Sequence, residues 1–362
     1  MNEKTIYFTR GIPAVESFNP DQLVECTRSA LTRDYKVVMQ YGGSRGFVPL
    51  RELLASEESV DLNRVILGQG SLQLVDIIAR VMTNPGDLVY TENPTYDRTL
   101  KLLTRIGNRV TGFTLESDGM NVDEMEIRLK NGDRPVFLYT IPDFQNPSGT
   151  ALSLEKRKRI AELAHKYKFW IIEDSPYRRL RYRGQDIPSI FSIAPERVLK
   201  LSSFSKLICP GLRVGYLVAP EPLNDQIARW AEDTYINSSY LNQAIVYDYC
   251  QRGWLDENIQ FLKELYKPRL DATLKSLEKH MSRTASWSSP EGGFFVGITL
   301  HKEIKTDALL DSASKINLQL TNGSHFFTDG CGQHFVRLPF CGITPEEIEE
   351  GVARLAGVVN DL

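Results

Sequence analysis

Lys206 carries chemistry-bearing neighbours at fixed spacing, with Ser203 and Ser205 just before it and Arg213 seven residues after. An amine that is desolvated, or set beside another cation, loses its proton near neutral pH and can form a Schiff base with a carbonyl. Two hydroxyls and a guanidinium beside it are donors suited to a phosphate. Gly68-Gln69-Gly70-Ser71-Leu72-Gln73 offers a second anion site, because glycines before a helix expose its first amides and Ser71 adds a hydroxyl. In Trp170-Ile171-Ile172-Glu173-Asp174, a carboxylate stands where an apolar run stops, which is costly unless a cation meets it. Strand alternation turns Glu173 the other way and leaves Asp174 as the candidate. Arg337, between Val336 and Leu338, is a cation among apolar neighbours and calls for a bidentate anion.

A lysine that binds an aldehyde, donors for its phosphate and an acid for a ring nitrogen together describe pyridoxal 5'-phosphate, which uses an acid to keep its ring an electron sink. The motifs agree. Ser203-x-Ser205-Lys206-x-x-x-Pro210-Gly211-x-Arg213-x-Gly215, Pro142-x-x-Gln145-Asn146-Pro147-Ser148-Gly149 and Glu173-Asp174-x-x-Tyr177 resemble those of fold-type I, class I/II aminotransferases. The nearest resemblance is to the 2-aminoadipate and kynurenine aminotransferases and the aminotransferase-like part of MocR regulators. It runs from Gly11 to the last helix, with the motifs in order.

The resemblance implies roles residue by residue. Asn146 and Tyr177 would hydrogen-bond the cofactor's phenolate oxygen, and Tyr96 would stack on its ring. Ser71 and Leu72 would hold the phosphate with Ser203, Ser205 and Arg213; many relatives carry glutamine at position 72, so there the contact is a backbone one. Arg337, helped by the backbone at Gly11 and by Asn146, would bind the substrate carboxylate. The segment Tyr41-Gly42-Gly43-Ser44-Arg45-Gly46 resembles one whose tyrosine reaches the cofactor phosphate of a neighbouring subunit, which implies a homodimer with shared sites and that role for Tyr41. Relatives often have tryptophan where this chain has Gly297.

The elements that must position these residues alternate. Apolar runs at residues 65–68, 87–91, 108–114, 135–140, 169–173, 198–201 and 214–219 read as strands, and helical patterns at 72–82, 96–106, 122–130 and 154–167 separate the first five. This rhythm predicts an α/β fold, a mainly parallel seven-stranded sheet with helices on both faces. Lys206 then lies on the turn between the last two strands. A smaller α+β domain follows from a strand at 292–296, a helix at 307–316, a strand at 335–340 and a helix at 344–355 opened by the capping box Thr344-x-x-Glu347. The expected division is a large cofactor-binding domain over residues 41–262 and a small one from 1–40 plus 263–362. Pro268 should kink a long helical pattern at 255–280.

With 43 Lys and Arg against 46 Asp and Glu, the formal net charge is −3 and no basic stripe suggests nucleic acid. No apolar run nears the roughly 20 residues that span a bilayer and no leader opens the chain, so a cytoplasmic enzyme is expected. No winged-helix pattern precedes the motifs, against a DNA-binding regulator. Five cysteines without a Cys-x-x-Cys pair suggest reduced thiols, and no metal-ligand spacing occurs. The expected reaction moves an amino group between an L-amino acid and a 2-oxo acid, 2-oxoglutarate being the natural acceptor, with Lys206 as the base for the α-proton. Elimination, cyclisation or replacement on an amino acid would begin with the same proton, and a non-catalytic ligand sensor would keep the same cofactor. The residues leave the donor's side chain open: Glu16 could meet a cationic one or merely be solvated, and His325 could line the pocket.

Overall fold

The computed structural model describes residues 4–301 and 304–362; the first three residues of the expected N-terminal arm lie outside the described residues. The strands in chain order are β1 (Ile6–Phe8), β2 (Val65–Gly68), β3 (Leu88–Asn93), β4 (Arg109–Glu116), β5 (Gly119–Met120), β6 (Phe137–Thr140), β7 (Trp170–Asp174), β8 (Val198–Ser203), β9 (Gly215–Val218), β10 (Ala285–Trp287), β11 (Phe295–Leu300), β12 (Leu318–Leu320) and β13 (Phe335–Pro339).

The main sheet has the order β2-β9-β8-β7-β6-β3-β4-β5. Its centre is parallel, from β8 through β7, β6 and β3 to β4, while β9 runs antiparallel to both β2 and β8. All seven expected strands are present. The eighth, β5, is a two-residue hairpin return on β4, too short to show as a periodic pattern. β6 is buried along its whole length, as a strand covered on both faces must be. The helix Ser71–Met82 buries Leu74, Val75, Ile77, Ile78 and Ala79 on one face.

A three-stranded antiparallel sheet, β10-β11-β13, pairs Gly297 with Arg337, and a parallel pair joins β1 to β12. The strand expected at 292–296 starts later, at Phe295, because Gly292 and Gly293 form the bend that enters it. Pro268 does not break its helix, which runs unbroken as Trp254–Met281. The last helix begins at Pro345 with the capping box in place and continues to Asp361.

Since β2, β3, β6, β7 and β8 point the same way, their carboxyl ends open on one side of the sheet. Open α/β sheets bind ligands there.

Candidate active site

A cavity of about 550 Å³ lies at those strand ends. Every residue expected at the site lines it except Tyr41. Ser71 and Leu72 come from the turn after β2, Tyr96 from that after β3, Asn146 from that after β6, Asp174 and Tyr177 from the end of β7, and Ser203, Ser205 and Lys206 from the end of β8, while Arg213 stands before β9. Gly11 and Arg337 close it from the N-terminal segment and β13.

Lys206 Nζ donates to the Gly11 carbonyl at 2.9 Å and lies 5.5 Å from the centre of the Phe294 ring. Desolvation by burial lowers its pKa, and the positive charges of Arg337 and Arg213 act the same way. An amine so placed is a nucleophile at lower pH than an ordinary lysine.

One end of the cavity is built for an anion. Arg213 donates to Ser205 Oγ at 3.3 Å and to the Gln69 carbonyl at 2.9 Å, and Ser203 Oγ lies 2.9 Å from Ser205 Oγ. Arg213 is packed against Gly70, whose φ is +82° and where a Cβ would fall 2.6 Å from Arg213 Nη2. Glycine alone admits both the backbone angle and the guanidinium. Gly70, Ser71 and Leu72, which open the helix Ser71–Met82, line the cavity with Arg213.

Asp174 lines the same cavity. Tyr139 Oη donates to its Oδ2 at 2.9 Å, while Oδ1 is buried with no hydrogen-bond partner. Burial pushes its pKa up to about 6, against the hydrogen-bonding hydroxyls of Tyr139 and Ser71. A buried acid with one oxygen unsatisfied is a receptor for an N–H group.

Arg337 is 7% exposed. Its Nη1 donates to Asn146 Oδ1 at 2.9 Å and Nη2 to the Thr9 carbonyl at 2.5 Å, while Nε meets no partner. Its guanidinium is held between the Phe295 and Phe326 rings, 4.8 and 4.7 Å from their centres. The loop bearing Phe326 is itself fastened to the turn after β3, with Thr95 N donating to the Phe326 carbonyl at 2.8 Å and Thr328 N to Asn93 Oδ1 at 3.0 Å. A buried cation with neutral partners only is matched to a carboxylate brought by a ligand.

Tyr96 and Tyr177 complete the walls, and burial raises the pKa of each phenol. His325 lines the mouth with Ile12, Arg10, Arg98 and Lys101. Glu16 pairs with Arg269 and stands outside the cavity. Gly297 is a tight contact, its absent Cβ lying 3.0 Å from Ser148 Cα. Tyr41 is 77% exposed and outside the cavity.

Tyr139 and Thr9 escaped the sequence reading. A tyrosine in an apolar run reads as core, and a backbone carbonyl has no sequence signature.

Residues 6–355 match the family model for aminotransferase class I and II. The chain belongs to that family. It is 37% identical to the aromatic-amino-acid aminotransferase 1 of Thermococcus litoralis, over 97% of this chain and 87% of the relative. Among solved structures it is similar to the kynurenine aminotransferase of Pyrococcus horikoshii, with a TM-score of 0.95, 30% identity and coverage of 99% of this chain and 92% of that one. It also resembles the alpha-aminoadipate aminotransferase of Thermus thermophilus complexed with N-(5'-phosphopyridoxyl)-L-leucine, with a TM-score of 0.94, 30% identity and the same coverages. The fold is thus that of the fold-type I enzymes.

This aminotransferase transfers an amino group from an amino acid to a 2-oxo acid and depends on pyridoxal 5'-phosphate. The residues present fit that group, since the unsatisfied Asp174 Oδ1 matches a protonated ring nitrogen and the Arg213 end matches a phosphate. Bound there, the cofactor supplies an aldehyde for the amine and a ring that makes the α-proton acidic. Among the described residues no helix is long and apolar enough to cross a membrane.

Proposed function

We propose that the enzyme moves the amino group of amino acids with aromatic or 2-aminoadipate-like side chains to 2-oxoglutarate. The observation that carries this reading is Arg337, a buried cation with neutral partners in the same cavity as Lys206 and Asp174. Arg337 grips the α-carboxylate and Lys206 removes the α-proton and redelivers it, helped by a pKa already lowered by burial. Asp174 holds the ring nitrogen's proton. Asn146 and Tyr177 hold the phenolate oxygen, and Tyr96 covers the ring. Ser71, the Leu72 backbone, Ser203, Ser205 and Arg213 hold the phosphate.

The side-chain class follows from the mouth. Ile12, Tyr96 and Phe295 offer an apolar wall for an aromatic ring, and Arg10, Arg98 and Lys101 outnumber the one acid there, Asp97, which favours a distal carboxylate. The relatives named above act on substrates of these two kinds. Incubation of the holoenzyme with a panel of amino acids and 2-oxoglutarate should produce glutamate fastest with aromatic donors and 2-aminoadipate. Absence of glutamate with any of these, or preference for alanine or lysine, would overturn the reading.

The large domain of residues 41–262 carries the cofactor in this scheme, and residues 1–40 with 263–362 supply Gly11 and Arg337. A second copy completes the site. Tyr41 is exposed beside Tyr35, Val37 and Met39, all apolar and accessible, a surface suited to burial against an identical subunit. The partner's Tyr41 then reaches the phosphate. A fully active monomer in sedimentation would remove this part.

A further inference from the structure

We propose that Glu92, which none of the sequence motifs singles out, is a positioning residue for amino-group transfer: it ties the segment bearing Asn146 to the turn bearing Tyr96 and sets a second buried carboxyl within electrical reach of Asp174. The proposal rests on the reading of Asn146, Tyr96 and Asp174 given above.

Glu92 is 2% exposed, near the end of β3. Its carboxyl accepts from Thr140 Oγ1 at 2.6 Å, from Ile141 N at 3.3 Å and from Gln145 Nε2 at 3.0 Å. Gln145 is used to capacity: Nε2 also donates to the Pro94 carbonyl at 2.8 Å, and Oε1 accepts from Ser148 N and Oγ at 2.9 and 2.8 Å. Glu92 and Gln145 therefore bind together the turn 94–96 and the segment 141–148, which supply Tyr96 and Asn146 to the cavity. Asn146 in turn accepts from Arg337. A buried network in which every member is satisfied fixes one geometry, and removing one carboxyl leaves several donors orphaned.

No cation neutralises this acid among the described residues. The groups packed on it from β6, the following segment and Pro94 are neutral, Phe113 opposite it on β4 is apolar, and Asp174 at the end of β7 is the charged group that acts on it. Burial chiefly, with Asp174 adding to it, raises its pKa to about 7. The fraction that is ionised at neutral pH would favour positive charge in the cavity.

The holoenzyme with Glu92→Gln separates the two roles. Glutamine still accepts from Gln145 and Ile141 and can donate to Thr140, so KM for the amino acid should stay within about twofold. The pH midpoint of the bound cofactor's visible absorbance should fall by roughly half a unit or more, because a nearby negative charge has gone. Glu92→Ala should raise KM about tenfold by loosening Asn146 and hence Arg337. An unmoved midpoint in Glu92→Gln, or an unchanged KM in Glu92→Ala, overturns the proposal; should Glu92→Ala not fold, Glu92→Gln decides alone. Failure of the unsubstituted enzyme to fix its cofactor on Lys206 would sink the site reading instead, whatever the Glu92 variants do.

Discussion

Asp174 has two unequal oxygens, Oδ2 held by Tyr139 and Oδ1 buried without a partner. Tyr139→Phe removes one of the two hydroxyls that favour the ionised form, the other being Ser71, so the carboxyl's pKa rises further and less of it is charged at neutral pH. Cofactor affinity, measured by fluorescence titration, should fall severalfold, with a larger loss at pH 6 than at pH 8. Equal affinity at both values would show that Tyr139 does not tune the acid. Lys206, Asp174, Asn146, Arg213 and Arg337 were all legible in the sequence, because each stands in a motif or breaks an apolar run. Their supports were not. Tyr139 and Glu92 lie in strands whose other residues are core, and only the distance to Asp174 or Gln145 distinguishes them from packing.

The elements deliver these side chains through strand ends and the first turns of helices, where small changes carry far. At Gly70 any other residue must adopt a φ of +82° and push its Cβ against Arg213. Gly70→Ala should therefore weaken cofactor binding about tenfold or more, with strain of roughly 1–3 kcal/mol lowering thermal stability as well. Wild-type cofactor affinity in that variant would contradict the role given to Arg213. Strand and helix order in residues 65–219 was readable from periodicity, and the bounds agree within a few residues. What periodicity could not show was short or tertiary. β5 has two residues, β1 and β12 three each, and β11 begins only where the Gly292-Gly293 bend ends.

At the scale of the whole molecule, two buried carboxyls, Asp174 lining the cavity and Glu92 near the end of β3, are pushed toward the neutral form. Burial raises Asp174 from 3.8 to about 6 and Glu92 from 4.5 to about 7. Both keep protons in the folded chain at pH values where the unfolded chain has released them. Stability of the cofactor-free protein should therefore fall as pH rises from about 4 to about 7, and Asp174 alone contributes on the order of 2–3 kcal/mol to that fall. Asp174→Asn removes its share, so thermal denaturation of the cofactor-free variant should vary less between pH 4 and pH 6. An unchanged pH dependence would mean that Asp174 is not desolvated as described. Added cofactor supplies the missing N–H donor and should stabilise the unsubstituted enzyme more than the variant.

The most direct test of the account is covalent. Purified enzyme loaded with pyridoxal 5'-phosphate and treated with borohydride should carry the cofactor on one peptide, that containing Lys206, and Lys206→Ala should carry none. Cofactor fixed on another lysine, or still fixed in Lys206→Ala, would contradict it.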